Sequence, residues 1–529
     1  MLRRLVLSVF LFAAVATAAL YRVDLPPGVA VEALSGTSVL MEFNGWCLVS
    51  ADAGVVGNLE LAGFRVSVLD DDLEQGLYVY AMPRPGLDRG RLAAFGRILT
   101  EDATGVLLAT SEDGIGELNR LPVEFCRVPR EPMVLSGSDQ RLPSVPAVDD
   151  SLVWMLVNRV GEDSVLSHIR RLKDFYTRYS TTDSCRRAVD WVRSKFVAYG
   201  CDSTALETYR SNYAPNVIGV KRGRVNARPI YIICGHADNT SDQPPDRCPG
   251  SDDNASGTSA AIEACRVFAD VVFDNSVWFI GFTGEEQGLY GSDSFARRAY
   301  RRGDSIKAVL NFDMISYGRQ DIDTFEVIGK ISNPNCAWLV DYYIAQADTF
   351  TSLKTKRSMV SSAPYSDHHS FWQRGYVAFC GIENDFTPLY HTIGDTIGPL
   401  YYTWCGTNNV PMATEAIKAG VASIAKLAGA HPRTAIAESG KPARPARLLR
   451  VTPTLGRPPV TIEMTPAGSR DARIEVYDAT GSAVRTLAAA PKVEWNGLND
   501  DGRKAGAGVY LLRVTDDGLS STAKAVLTE

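Results

Sequence analysis

The stretch Pro229-Ile230-Tyr231-Ile232-Ile233-Cys234-Gly235-His236-Ala237-Asp238 decides the fold. An apolar run closed by glycine and a polar turn predicts a core strand, with His236 just beyond its carboxyl end. Residues 277–282, 308–312 and 377–381 repeat the pattern. Helical spacing appears upstream, in Val165, Ile169, Leu172, Phe175 and Tyr176 and again in Ala188, Trp191, Val192, Phe196 and Val197. Strands alternating with helices predict an α/β unit over residues 151–430, a mostly parallel sheet flanked by helices. Open sheets of this kind place their ligand crevices at the carboxyl ends of the strands.

The flanks read differently. Arg3 and Arg4 precede an apolar run over 5–15 and then Ala16-Thr17-Ala18, so residues 1–18 are expected to be an export signal. Residues 19–145 alternate apolar and polar positions with frequent glycine breaks and predict a β-rich domain. Within it 47–66 echoes 106–125, with Leu59 and Leu118 in register, which suggests two copies of one small unit. A prodomain covering the active site is the other expectation for this region. The proline-bearing stretches at 136–146 and 431–449 read as linkers. From 450 to 529, β-formers separated by Gly- and Asp-rich turns predict a small immunoglobulin-like β-sandwich.

A formal net charge of −6 over 529 residues gives nucleic acid no electrostatic footprint. After the signal, no run reaches the ~18 apolar residues of a membrane span, so the mature chain is expected to be exported. None of the ten cysteines shows a zinc-type Cys-x-x-Cys spacing. Cys185 and Cys201 flank one predicted helix and could close a local loop. Cys234, Cys265 and Cys380 sit in apolar runs and are expected as buried thiols.

Six residues in short polar turns carry the chemistry: His236, Asp253, Glu285, Glu286, Asp313 and His391. Taken singly, each has an ordinary structural reading. A histidine after a strand is commonly structural, Asp253 before residues 260–268 reads as a helix N-cap, and Glu285-Glu286 reads as a solvated acidic loop. Together they read as a metal site. Both glutamates and Asp313 follow apolar strands, where adjacent carboxylates need a cation. Two histidines and three carboxylates suffice for two metal ions sharing one bridge; zinc takes such ligands and leaves a position open for water, and manganese or cobalt accepts the same donors. Asp238 and Asp395 are expected to orient His236 and His391. His368 and His369, in Ser366-Asp367-His368-His369, add to the histidines near the site.

In this order, Gly235-His236-Ala237-Asp238, Asp252-Asp253-Asn254-Ala255-Ser256-Gly257, Glu285-Glu286-Gln287-Gly288-Leu289-Tyr290-Gly291-Ser292, Asp313-Met314, Ser366-Asp367-His368 and His391-Thr392-Ile393-Gly394-Asp395-Thr396 closely resemble the secreted di-zinc aminopeptidases of metallopeptidase family twenty-eight. The resemblance covers roughly residues 155–430 and implies a zinc exopeptidase fold acting on peptides and proteins. It implies that Asp253 bridges two zinc ions, one completed by His236 and Asp313, the other by Glu286 and His391. Glu285 is then free as general base, with Asp238 beside it in the catalytic set. Carboxypeptidases and glutaminyl cyclases resemble this pattern too, but cyclases lack the first histidine. An inactive surface-binding protein is the reading from another class. Tyr365 has no clear equivalence to the tyrosine that assists the transition state in this family.

Ile474-Glu475-Val476-Tyr477-Asp478, Val493-Glu494-Trp495-Asn496-Gly497 and 508–514 resemble the flagellar-hook-capping immunoglobulin-like module and related sorting domains. That resemblance implies type nine secretion or attachment to the cell surface.

Overall fold

The computed structural model describes residues 18–71, 76–84, 86–135, 145–319, 324–433, 448–453, 455–465, 473–478, 482–488, 490–516 and 519–528. The expected export signal, apart from residue 18, and most of both expected linkers lie outside the described residues. The chain divides into two compact units, residues 1–435 and 436–529.

The first unit begins with two antiparallel sheets of one plan. β1 (Ala19–Asp24), β2 (Ser38–Glu42), β3 (Trp46–Ala51) and β4 (Arg65–Asp70) lie in the order β2-β3-β1-β4. β5 (Leu77–Pro83), β6 (Gly96–Glu101), β7 (Val106–Thr110) and β8 (Val123–Arg127) lie in the order β6-β7-β5-β8. Each copy places a short helix between its third and fourth strands: α1 (Ala53–Leu61) and α2 (Glu112–Leu118). Asp52 and Ser111 cap them by accepting hydrogen bonds from first-turn N–H groups, a signal that strand periodicity conceals. In the second copy, Val79, Ala81, Val123 and Phe125 pack with Ile115 and Leu118 of α2. The alternate residues Tyr78, Tyr80 and Cys126 face the other way, against Leu289 of the α/β part.

The α/β part follows. Its strands are β9 (Ser203–Glu207), β10 (Asn216–Lys221), β11 (Asn226–His236), β13 (Asn275–Phe282), β14 (Ser305–Phe312), β15 (Phe325–Lys330), β16 (Thr355–Val360) and β17 (Ala378–Glu383), ordered β16-β15-β17-β14-β11-β13-β10-β9. β12 (Val271–Phe273) instead pairs with β18 (Ala430–Pro432). The centre β13-β11-β14-β17 is parallel, while β10, β9 and the β15–β17 pairing are antiparallel. The helices are α3 (Asp150–Val157), α4 (Glu162–Lys173), α5 (Asp183–Ala198), α6 (Gly257–Val267), α7 (Tyr290–Arg302), α8 (Pro334–Phe350), α9 (His368–Trp372) and α10 (Val410–Ala428). Continuous burial of Ile230 to His236 in β11 explains its unbroken apolar sequence: helices cover both faces, so neither side faces water.

The two parts of this unit share polar contacts. Lys330 Nζ pairs with Glu42 Oε2 at 2.6 Å, both nearly buried, and Val134 N–H donates to the Gln373 carbonyl. Removing one partner of a buried pair strands the other charge. Lys330→Ala is therefore expected to lower stability by about 3–5 kcal/mol, and the Lys330→Met/Glu42→Met double variant to recover most of that loss, as read by denaturant unfolding.

The second unit pairs β19 (Leu448–Thr452), β21 (Val460–Thr465) and β24 (Lys492–Trp495) in one sheet. Its other sheet is β20 (Leu455–Gly456), β26 (Leu519–Leu527), β25 (Gly508–Asp516), β22 (Arg473–Tyr477) and β23 (Ala483–Ala488). Trp495, Ile462, Ile474 and Leu512 are among the side chains filling its core.

All ten cysteines are free. Cys185 does not pair with Cys201: the latter lies 3.5 Å from Cys265, because α5 carries its first turn away from the Cys201 end.

Candidate metal centre

Three adjacent parallel strands deliver the ligands. β11 ends at His236, β13 ends at Phe282 three residues before Glu285, and β14 ends one residue before Asp313. The register pairs His236 with Phe282 and Cys234 with Asn311, so all three side chains emerge at one level. Asp253 arrives from the turn before α6, and His391 from the loop between β17 and α10. All six candidates converge, and each is at most 6% exposed.

His236 Nε2 lies 3.2 Å from Asp313 Oδ1 and 3.2 Å from Asp253 Oδ1. His391 Nε2 lies 2.9 Å from Glu286 Oε2 and 3.3 Å from Asp253 Oδ2. Two atoms bound to one tetrahedral zinc, each about 2.0–2.1 Å from it, stand about 3.3 Å apart. The spacings fit that geometry on both sides of Asp253, one oxygen facing each histidine. Glu285 Oε2 stands back at 3.9 Å from His236. Four carboxylates thus meet in a buried place, and among the described residues no lysine or arginine ion-pairs with any of them. Such a cluster calls for bound cations.

The supporting groups partly depart from expectation. The His236 ring is held by the Asp238 backbone carbonyl, 3.2 Å from Nδ1, while the Asp238 carboxylate is 3.7 Å away. Asp238 Oδ2 instead accepts from Ser180 Oγ and from the Glu286 N–H. Asp395 does not orient His391. Its carboxylate accepts from the Asp252 and Asp253 N–H groups, because the loop turns it toward the backbone carrying the shared ligand. His368 and His369 stay out of the cluster: α9 buries them between Tyr365, Trp372 and Gln373, and burial lowers His368 to about 3. From the same motif, Ser366 Oγ donates to Asp313 Oδ2 at 2.5 Å.

Sequence reading missed four contributors. Arg178, fully buried, donates to the carbonyls of Ala237, Pro249 and Gly250 and pins the loop between two ligands. Asn254 ties Phe312 and Met314, on either side of Asp313, to the Asp253 turn. Arg84 and Glu124 come from the N-terminal part. Arg84 lies over Tyr390 at 3.5 Å and donates to the Thr387 carbonyl, and Tyr390 in turn stacks on His391. Asn254 occupies the variable position of the Asp-Asp-x-Ala-Ser-Gly motif, and the other three fall in no recognisable motif.

Without a cation, burial and then the Asp253 charge push Glu286 up to about 7. Burial pushes Glu285 well above the carboxylate range. Burial alone would lower His236 and His391, but the surrounding carboxylates overturn that and raise both well above 6.5. Burial acts to raise Asp253 too, yet hydrogen bonds from the two imidazoles hold it low. Groups raised in the folded state stabilise it fully below their unfolded values, and that stability is lost as pH rises through the folded values. Chelator-stripped protein is thus expected to lose thermal stability as pH rises from about 4.5 to about 7, the interval between the unfolded and folded values of Glu286. Metal-loaded protein should show the opposite slope in calorimetric scans, gaining stability as pH rises toward about 6.5, because its ligand histidines bind no proton while those of the unfolded chain do.

Residues 216–409 match the family described as Peptidase family M28, and residues 450–519 match the FlgD Ig-like domain. Leucine aminopeptidase 1 of Sclerotinia sclerotiorum is 26% identical over 333 residues, covering 58% of this chain and 84% of that relative. A probable leucine aminopeptidase of Trichophyton verrucosum is 28% identical over 261 residues, covering 46% of this chain and 70% of the relative. The crystal structure of Legionella pneumophila LapA aminopeptidase superposes with a TM-score of 0.54 at 22% identity, covering 67% of this chain and 99% of that one. LapB of the same organism gives 0.52 at 16% identity, with the same coverages. At such identities the structures speak for the fold alone. The α/β part is a peptidase module with the zinc exopeptidase fold, and an Ig-like domain follows it.

Proposed function

We propose that this chain is a zinc-dependent aminopeptidase that hydrolyses the first peptide bond of peptides and proteins. The two-sided reach of Asp253, one oxygen toward His236 and the other toward His391, carries the reading, since it suits a pair of cations sharing one carboxylate. Bound zinc supplies Lewis acidity, polarising the scissile carbonyl and lowering the pKa of water to about 7. His236 and Asp313 would hold one cation, and Glu286 and His391 the other. Glu285, set back from the ligands, takes a proton from the attacking water and delivers it to the leaving amine. Asp238 acts through others, its carbonyl fixing the His236 ring and its carboxylate the Glu286 backbone. The leucine aminopeptidase relatives support the direction of cleavage.

Peptides with free and acetylated amino termini, assayed with and without chelator, test this. The expected result is cleavage of free-amine peptides alone, abolished by the chelator. Equal cleavage of acetylated peptides contradicts an aminopeptidase. Export and surface attachment are part of the proposal, supported by the pattern of residues 1–18 and by the Ig-like domain. Fractionation of the producing cells should recover the chain outside the cytoplasm.

A further inference from the structure

Two thiols meet away from the metal centre, where Cys201 Sγ lies 3.5 Å from Cys265 Sγ. Cys201 follows the turn that ends α5 and is partly exposed, whereas Cys265 sits within α6 and is fully buried. A disulfide bond of about 2.05 Å asks the two sulfurs to close by about 1.5 Å. Gly219 of β10 leaves room for that movement, since a Cβ there would stand 2.9 Å from Cys201 Sγ. Lys221 Nζ donates to the Gly200 carbonyl, one residue before Cys201, and to the Ala269 carbonyl, four residues after Cys265. Among the described residues no carboxylate ion-pairs with it, so its charge is left to act on the two sulfurs beside it, and a neighbouring ammonium favours the thiolate. No third histidine, cysteine or carboxylate among the described residues joins the pair to make a metal cluster.

The pair sits at the far end of the sheet from the reaction. Val220 of β10 is paired with Trp278, near the amino end of β13, while the ligands emerge beyond the carboxyl ends of β11, β13 and β14. Yet the chain between the two cysteines carries His236 and Asp253. We propose that Cys201 and Cys265 form a disulfide by exchange with a low-molecular-weight disulfide, and that the bridge braces the segment bearing two of the metal ligands. The Cys201 thiolate, the more accessible of the two, attacks one sulfur of the donor, which forms a mixed disulfide and expels one donor thiolate. Cys265 then gives up its proton and attacks Cys201 Sγ, and the second donor thiolate leaves. Two protein thiols are oxidised, one donor disulfide is reduced to two thiols, and the two protein protons end on the donor sulfurs. Closing residues 201–265 into a loop restricts the unfolded chain more than the folded one, so the bridge stabilises without touching the centre. An exported chain meets the oxidising surroundings in which such bridges persist.

Zinc-loaded full-length protein is incubated with an excess of oxidised glutathione, alkylated under denaturing conditions, and read by intact mass and by peptide mapping. The expected product has one crosslink, joining the Cys201 and Cys265 peptides, with the other cysteines alkylated. Its thermal midpoint should stand about 5–10 °C above that of protein kept reduced with a phosphine, with kcat/KM on a free-amine peptide unchanged. Cys201→Ser and Cys265→Ala should each abolish the crosslink and the difference between oxidised and reduced midpoints; the first alters a partly exposed position, so it keeps the test valid if the second folds poorly. Both thiols still alkylated in excess donor, a chain halted at the glutathione adduct of Cys201, or a crosslink from Cys201 to another cysteine overturns the proposal. So does a bridge that leaves the midpoint unmoved. A bridge that forms in vitro in a chain recovered fully reduced from its own cells supports this inference and counts against export instead.

Discussion

Glu285→Gln is expected to cut turnover by about 100- to 10,000-fold while the protein keeps its full metal content. The carboxylate stands 3.9 Å from His236 Nε2, farther than the ligand pairs, and the amide preserves its shape and volume. Nothing that holds a cation is removed. The Gly288 and Leu289 N–H groups still donate to the residue 285 carbonyl, so the loop keeps its turn. What disappears is the proton acceptor, and the loss should fall on kcat rather than KM. Metal analysis beside steady-state kinetics checks this. Loss of metal in the variant would make Glu285 a ligand instead.

Asp253→Asn should act in the opposite way, by removing metal. An amide offers one oxygen lone-pair donor where the carboxylate offers two, and its nitrogen cannot ligate the second cation. The variant should retain less than one tightly held cation of the original complement, with activity reduced beyond the roughly 10- to 100-fold typical of outer-shell changes. Asp395→Asn and Asp238→Asn, which touch the backbone of ligands, should stay within that outer-shell range. The comparison by metal analysis and kcat/KM separates a shared ligand from its supports.

The central sheet and the six site residues were legible in the sequence because each depends on local pattern. Residues 229–236 must be continuously apolar to lie between two layers of helices, and the polar residue that ends such a strand must emerge at its carboxyl end. The supports were less legible, because they depend on chain paths through loops. Asp395, four residues from His391, serves Asp253 instead, and the Asp238 backbone, not its side chain, holds His236. The helices α1 and α2 were hidden by alternating strands around them, though Asp52 and Ser111 carried their caps. Arg84 and Glu124 lie over a hundred residues before most of the ligands, and only the packing of β5 and β8 against the Leu289 loop brings them near.

The most direct test of the central claim is a zinc titration of chelator-stripped protein, followed at once by calorimetry and by hydrolysis of a free-amine peptide. Two equivalents per chain, with full activity reached only as the second binds, is the predicted result. Saturation of both binding and activity at one equivalent would contradict a carboxylate shared between two cations.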